Sequence, residues 1–168
     1  MASVEIRRAQ AADRAQIVSL LRERWGSEIV VSRGRAHDAS RLPALVAWAD
    51  ERLAGLATLR FQARECELVT LDALRRGRGV GTALLRAAAR TAAERGCSRL
   101  WLITSNDNLE ALRFYQRRGM RLVAVHRGAI DRARELKPSI PAVGEHGIPI
   151  HDELELELTL DSEPPQDG

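Results

Sequence analysis

The stretch Arg76-Gly77-Arg78-Gly79-Val80-Gly81-Thr82-Ala83-Leu84-Leu85 sets the architecture of the chain around it. Before it, Glu65-Cys66-Glu67-Leu68-Val69-Thr70-Leu71 reads as a strand, and after it the apolar spacing from Val80 to Arg95 predicts a helix. A glycine-rich turn therefore joins a strand to a helix N-terminus. There the first N–H groups have no intrahelical partner, and the helix dipole adds partial positive charge. Gly77, Gly79 and Gly81 carry no Cβ, so an anion can approach the backbone closely. Arg76 and Arg78 add guanidinium groups that can fork onto phosphate oxygens. The stretch reads as a pyrophosphate cradle, with a plain glycine loop as the competing reading. It is neither of the two common nucleotide fingerprints, since it has no Walker lysine and Gly79 is followed by Gly81 and Leu84.

The bulk of the sequence fits a soluble globule. A chain of 168 residues with 45% hydrophobic and 29% charged residues can bury a real core as one domain over residues 1–160, with 161–168 as a disordered tail. No apolar run approaches the roughly 18 residues of a membrane span. The start, Met1-Ala2-Ser3-Val4-Glu5-Ile6, has no charged-then-apolar leader. Cys66 and Cys97 stand alone, without CxxC or nearby histidines, which argues against a zinc site or a disulfide scaffold and fits a reducing cytoplasm. No metal is expected; His126, His146 and His151 lack ligand spacing. The net charge of +3 raises nucleic acid as a partner, but the arginines are scattered and aromatics make up 4%, so stacking platforms are scarce.

Around the cradle the pattern alternates between strands and helices. Val4–Arg7 is a first strand, and Asp13 is placed to cap a helix over Arg14–Arg24 that ends at Gly26. Glu28–Ser32 is a brief extended run, and Ser32–Arg41 reads as a polar loop. Ala44–Ala49 and Leu53–Phe61 form an antiparallel pair that leads into Glu65–Leu71. Arg99–Thr104 is a buried strand, followed by a helix over Leu109–Arg118 and a strand over Arg121–His126. Ala129–Lys137 is a short helix, and the prolines at 138, 141 and 149 punctuate a long irregular segment. His151–Leu160 alternates leucines with acids and predicts a half-solvated last strand.

Two motifs carry a family resemblance. Arg76, Gly79 and Gly81 fill Arg/Gln-x-x-Gly-x-Gly/Ala, which resembles the acyl-coenzyme A loop of the GNAT N-acetyltransferase superfamily. Asn108, Ala111, Phe114, Tyr115 and Gly119 resemble the family's second signature, with Met120 where an aromatic is usual. Asn108, Ala111, Leu112 and Tyr115 fall on one helical face.

The resemblance implies an α/β (α+β) fold: a mixed, twisted sheet of about seven strands flanked by helices, in which two parallel strands, Glu65–Leu71 and Arg99–Thr104, splay into a V. It implies acetyl-coenzyme A as cosubstrate, its pyrophosphate on Arg76, Gly77, Arg78, Gly79, Val80, Gly81 and Thr82. Its pantetheine arm would lie along Val69 and Leu71, with Asn108 and Tyr115 nearby. The other partner would be a primary amine of a small molecule or protein, attacking the thioester directly. A non-catalytic coenzyme A-binding module of the same fold is the alternative, and a monomer or a homodimer is expected.

For the chemistry, the resemblance makes the backbone N–H of Leu71 the oxyanion donor and Tyr115 the acid for the departing thiolate. Glu65 and Glu67, two apart, are expected on the face of Val69 and Leu71, and Glu67 is the first choice of base; facing solvent or pairing with arginines is the competing reading. Arg33, Arg35 and His37 could instead hold an anionic acceptor group or form a solvated loop. The long segment before the last strand is expected to fold over the acceptor pocket.

Overall fold

The computed structural model describes residues 3–75 and 77–161. Seven strands form one mixed sheet: β1 (Glu5–Arg8), β4 (Ala44–Ala49), β5 (Arg52–Gln62), β6 (Glu65–Ala73), β7 (Arg99–Ser105), β9 (Glu153–Thr159) and β8 (Arg121–His126), in that spatial order. Helices α2 (Val80–Glu94) and α3 (Leu109–Gln116) cover one face. Leu84, Leu85 and Ala88 of α2 pack there with Leu59, Leu100 and Leu156 of the sheet. Met120 is buried in this cluster, filling the position where the family pattern has an aromatic. Helix α1 (Arg14–Trp25) covers the other face through Ile17, Leu20 and Leu21, and α4 (Ala129–Leu136) follows β8. No described helix is long and apolar enough to cross a membrane.

The expected V is present. Strands β6 and β7 are parallel and pair only at Glu65↔Arg99, Cys66↔Leu100 and Glu67↔Trp101. Beyond Glu67 each strand continues, β6 to Ala73 and β7 to Ser105, without pairing to the other. Their facing backbone edges are thus left open to a ligand. The register of β6 against β5 shifts at this point: Leu59 faces Leu68 and Thr58 faces Thr70, so Val69 is an extra, bulged residue. The bulge corrects one expectation. Glu67 and Val69 face the α1 side, but Leu71 is turned onto the α2 side, because the extra residue breaks the two-residue alternation.

Three other local readings change. Ser32–Arg41 is not a loop: β2 (Ile29–Ser32) and β3 (Arg35–Asp38) form a hairpin through Arg33 and Gly34, both at positive φ. Asp13 sits at the N-cap of α1, but its carboxylate turns back to Arg7 at 2.7 and 2.9 Å and to the Gln10 N–H at 2.7 Å. The last strand is not half-solvated, for β9 lies between β7 and β8, and Glu153 and Glu155 are 1% and 5% exposed. The hairpin turn covers this acidic face. Arg33 donates its backbone N–H to Glu153, and its guanidinium pairs with Glu155 at 2.7 Å. Arg99 and His126 complete the partners of Glu155, as buried charge requires.

The N-terminus of α2 is seated against β5 through a glycine. A Cβ on Gly55 would lie 2.7 Å from the Asp72 carbonyl oxygen, 2.7 Å from Val80 Cγ1 and 2.8 Å from Leu84 Cδ1. Backbone on one side and two fully buried side chains on the other leave little room to give. Gly55→Ala is therefore expected to destabilise the fold by about 1–3 kcal/mol through overpacking. Chemical denaturation of the two proteins checks this, and an unchanged midpoint would mean that α2 slides without penalty.

Candidate active site

The opening between β6 and β7 is a cleft of about 380 Å³. Leu68, Val69, Leu71 and Asp72 line it from β6, Ile103 and Thr104 from β7, and Asn108, Ala111 and Tyr115 from α3. The structure thus brings together four of the residues singled out in the sequence: Val69, Leu71, Asn108 and Tyr115. Asn108 also caps α3, its Oδ1 accepting the Ala111 N–H at 3.1 Å. Burial raises the Tyr115 phenol above its ordinary value, and the carboxylate of Asp72 raises it further. Asp72 is itself raised by burial, against the opposing hydrogen bond from Trp25 Nε1 at 2.9 Å.

The cradle lies at the N-terminus of α2. Gly79 is its N-cap, left-handed at φ 70°, and Gly77 is left-handed at φ 78°. A Cβ at either would meet nothing within 4 Å, so the turn opens outward rather than packing on the protein. The helical ladder begins with Ala83 N–H to the Gly79 carbonyl at 2.9 Å, after Val80, Gly81 and Thr82. Gly81 has a packing role as well: a Cβ there would lie 3.2 Å from Phe114 Cζ on α3. Thr82 accepts a hydrogen bond from Arg118 Nε at 2.7 Å, and Arg118 stacks 3.8 Å over the Phe114 ring. Arg78 is 3.7 Å from Asp50, which Arg75 also contacts. Arg76 lies outside the described residues.

On the other side of the V a second recess, of about 200 Å³, adjoins the cleft; Trp25, Val69, Ile103, Thr104 and Asn108 border both. Its walls are largely aliphatic, with Val30 and Val31 of the hairpin, Ile130 of α4, and Ile140 and Ile150 of the long segment. That segment is pinned in place. Arg134 donates to the carbonyls of Ile140, Pro141 and Ile150, and Asp107 accepts the Glu145 N–H at 2.9 Å. Lys137 donates to the carbonyls of Trp25 and Ile29 at 2.7 and 2.9 Å, tying the end of α4 to the hairpin.

Glu67 lies in this recess, 2% exposed, where its Oε1 accepts from Ser32 Oγ at 2.5 Å and its Oε2 from Arg60 Nε at 3.1 Å. Glu65 is exposed and 3.8 Å from Arg99. Arg33, Arg35 and His37 do not form one anion site, since Arg33 is paired with Glu155 while Arg35 is exposed. His37 Nε2 is buried without a hydrogen-bond partner, and burial lowers its pKa. Sequence reasoning missed Ser32, Asp72, Trp25 and Glu153. Asp72 falls one residue past the expected strand end, and Glu153 sits on an alternation that reads as solvent-facing.

A sheet splayed between parallel strands beside a glycine turn defines a class of folds. The chain matches the family described as "Acetyltransferase (GNAT) family" over residues 13–120, and it belongs to that family. It is 37% identical over 141 residues to the uncharacterized protein YxbD of Bacillus subtilis (strain 168), covering 83% of this chain and 89% of that one. Among solved structures it shares its fold with an IAA acetyltransferase from Bacillus cereus ATCC 14579. The TM-score is 0.69 at 22% identity, covering 94% of this chain and 100% of that one. A Bacillus subtilis acetyltransferase in complex with CoA gives a TM-score of 0.67 at 20% identity, over 96% and 100% of the two chains.

Proposed function

We propose that residues 1–160 form one acetyltransferase domain that transfers an acetyl group from acetyl-coenzyme A to a primary amine by direct attack. The observation that carries this reading is the β6–β7 splay, three paired positions and then an open cleft, beside an outward-facing glycine turn. A related fold from Bacillus subtilis was solved in complex with CoA, which supports the choice of ligand. The residues fit such a ligand. Gly77, Arg78, Gly79, Val80, Gly81 and Thr82, with Arg76, would hold the pyrophosphate, and the open edge at Val69 and Leu71 would pair with the amide-bearing arm. When bound, acetyl-coenzyme A supplies an acyl carbon activated as a thioester.

The protein's own groups divide the remaining work. The Leu71 backbone N–H is the donor proposed for the oxygen that gains charge. Tyr115 holds a proton at its hydroxyl, at the wall of the cleft, for the departing sulfur. Glu67 is the proposed base, directly or through Ser32, whose hydroxyl already donates to it. Cys66 takes no part: it is fully buried, and burial pushes its thiol up to about 12. On this reading the cofactor lies in the cleft and the acceptor in the adjoining recess, and the two meet at the border that they share.

The test is thiol release from acetyl-coenzyme A by the purified protein with a panel of primary amines. Amine-dependent release is expected. Coenzyme A binding without turnover on any amine would instead indicate a binding module, and absence of binding would overturn the reading. Deleting residues 139–147 removes Ile140 from the acceptor recess and Glu145 from the rim of the cleft. That deletion is expected to raise the acceptor KM much more than the acetyl-coenzyme A KM; equal, unchanged values would mean that the segment is no acceptor wall.

A further inference from the structure

The acceptor recess contains a carboxylate oxygen that the protein does not satisfy. Glu153 lines the recess and is 1% exposed. Its Oε2 accepts the Arg33 backbone N–H at 3.2 Å, while its Oε1 is buried with no hydrogen-bond partner. The neighbouring buried carboxylates are not left this way. Glu155 has Arg33, Arg99 and His126, and Glu67 has Ser32 and Arg60. A buried acceptor without a donor is unfavourable, and a ligand cation would recover what its desolvation costs. The one ammonium in the recess, Lys137, is already committed to two backbone carbonyls.

The position of Glu153 decides what kind of cation it meets. It pairs in register with Ser105 at the end of β7, and β7 separates it from β6. The splay between β6 and β7 lies one and a half strand spacings from β9, about 7 Å, and the reacting nitrogen must lie in that splay. One nitrogen therefore cannot serve both places. Resting on the acetyltransferase reading above, we infer that Glu153 binds a second ammonium of the acceptor, so that the substrate is a short diamine with an aliphatic body. The aliphatic walls suit the carbon spacer, and the volume of about 200 Å³ limits its size. In the free protein burial holds Glu153 above the usual carboxylate range; Glu67 adds to this, and the Arg33 N–H opposes it. An arriving cation restores the ionised form.

The experiment compares butylamine with butane diamine, measured as kcat/KM in wild type and in Glu153→Gln. Wild type is expected to favour the diamine by about 10- to 100-fold, the range of a hydrogen bond to a charged group. Glu153→Gln is expected to reduce that ratio to near unity while acetyl-coenzyme A affinity and melting temperature show an intact fold. A wild type indifferent to the second amino group, or a preference that survives in the variant, overturns the inference. Should Glu153→Gln fail to fold, the wild-type ratio alone decides. Should no amine turn over, the acetyltransferase reading fails separately, and calorimetric titration of the two amines into the coenzyme A-bound protein still tests Glu153. Diamine binding lost in the variant supports the site, and no binding by either amine overturns it.

Discussion

Gly79→Glu is expected to abolish coenzyme A binding. The turn at Gly79 is left-handed and open, with nothing within 4 Å of where a side chain would begin. A glutamate there would project into the space before the α2 N-terminus, where the pyrophosphate is proposed to sit. Two like charges about 4 Å apart near a protein surface repel by about 4 kcal/mol, which is roughly a thousandfold in affinity. The substitution also strains the backbone, since an L-residue in this conformation costs about 1–2 kcal/mol. Gly79→Gln separates the two effects, for it shares the strain and bulk but not the charge. Calorimetry on the three proteins should rank them wild type, glutamine, glutamate, with the last two separated most at low salt. Equal affinity for the glutamine and glutamate variants would mean that no anion occupies the turn.

The glycine turn was legible because it is written locally, while the splay was expected from the family resemblance. Gly77 and Gly79 occupy conformations that glycine adopts without strain, and the strand–turn–helix order around them follows from hydrophobic spacing. Tyr115 and Asn108 were singled out through the second family signature, and helical spacing put them on one face. What sequence did not reveal depends on long-range placement. The bulge at Val69 is a mismatch between two strands and leaves no mark in either one alone. The acidic stripe of β9 has the alternation of an exposed strand. The Arg33–Gly34 turn, more than a hundred residues earlier, joins Arg99 and His126 in making Glu153 and Glu155 interior. The same hairpin brings Ser32 to Glu67 and so turns an apparent surface carboxylate into a buried, hydrogen-bonded one. The polar composition of residues 32–41 gave no hint of this, because that half of the hairpin meets charge rather than apolar surface.

Tyr115→Phe is expected to lower kcat by about 10²–10⁴-fold, the usual contribution of a positioned general acid, while leaving coenzyme A affinity nearly intact. The phenol borders the cleft beside Leu71 and Asn108, and its ring packs edge-on to Phe114 at 5.1 Å between centroids. Phenylalanine keeps that packing and removes only the proton. A purely structural tyrosine would give another result, with kcat unchanged and at most a small change in melting temperature. The pH profile supplies a second readout. Burial and the Asp72 carboxylate hold the phenol above its ordinary value, so the acid form persists through the alkaline range. Wild-type kcat should therefore show no alkaline fall below about pH 10, the ordinary phenol value, and should decline only on the acid side as the acceptor and its base become protonated. Asp72→Asn with Tyr115 kept takes away one of the two influences that raise the phenol and should bring its alkaline limb to lower pH. A Tyr115→Phe enzyme within about threefold of wild type, well short of a general acid's contribution, would assign protonation of the leaving sulfur to solvent reaching the cleft.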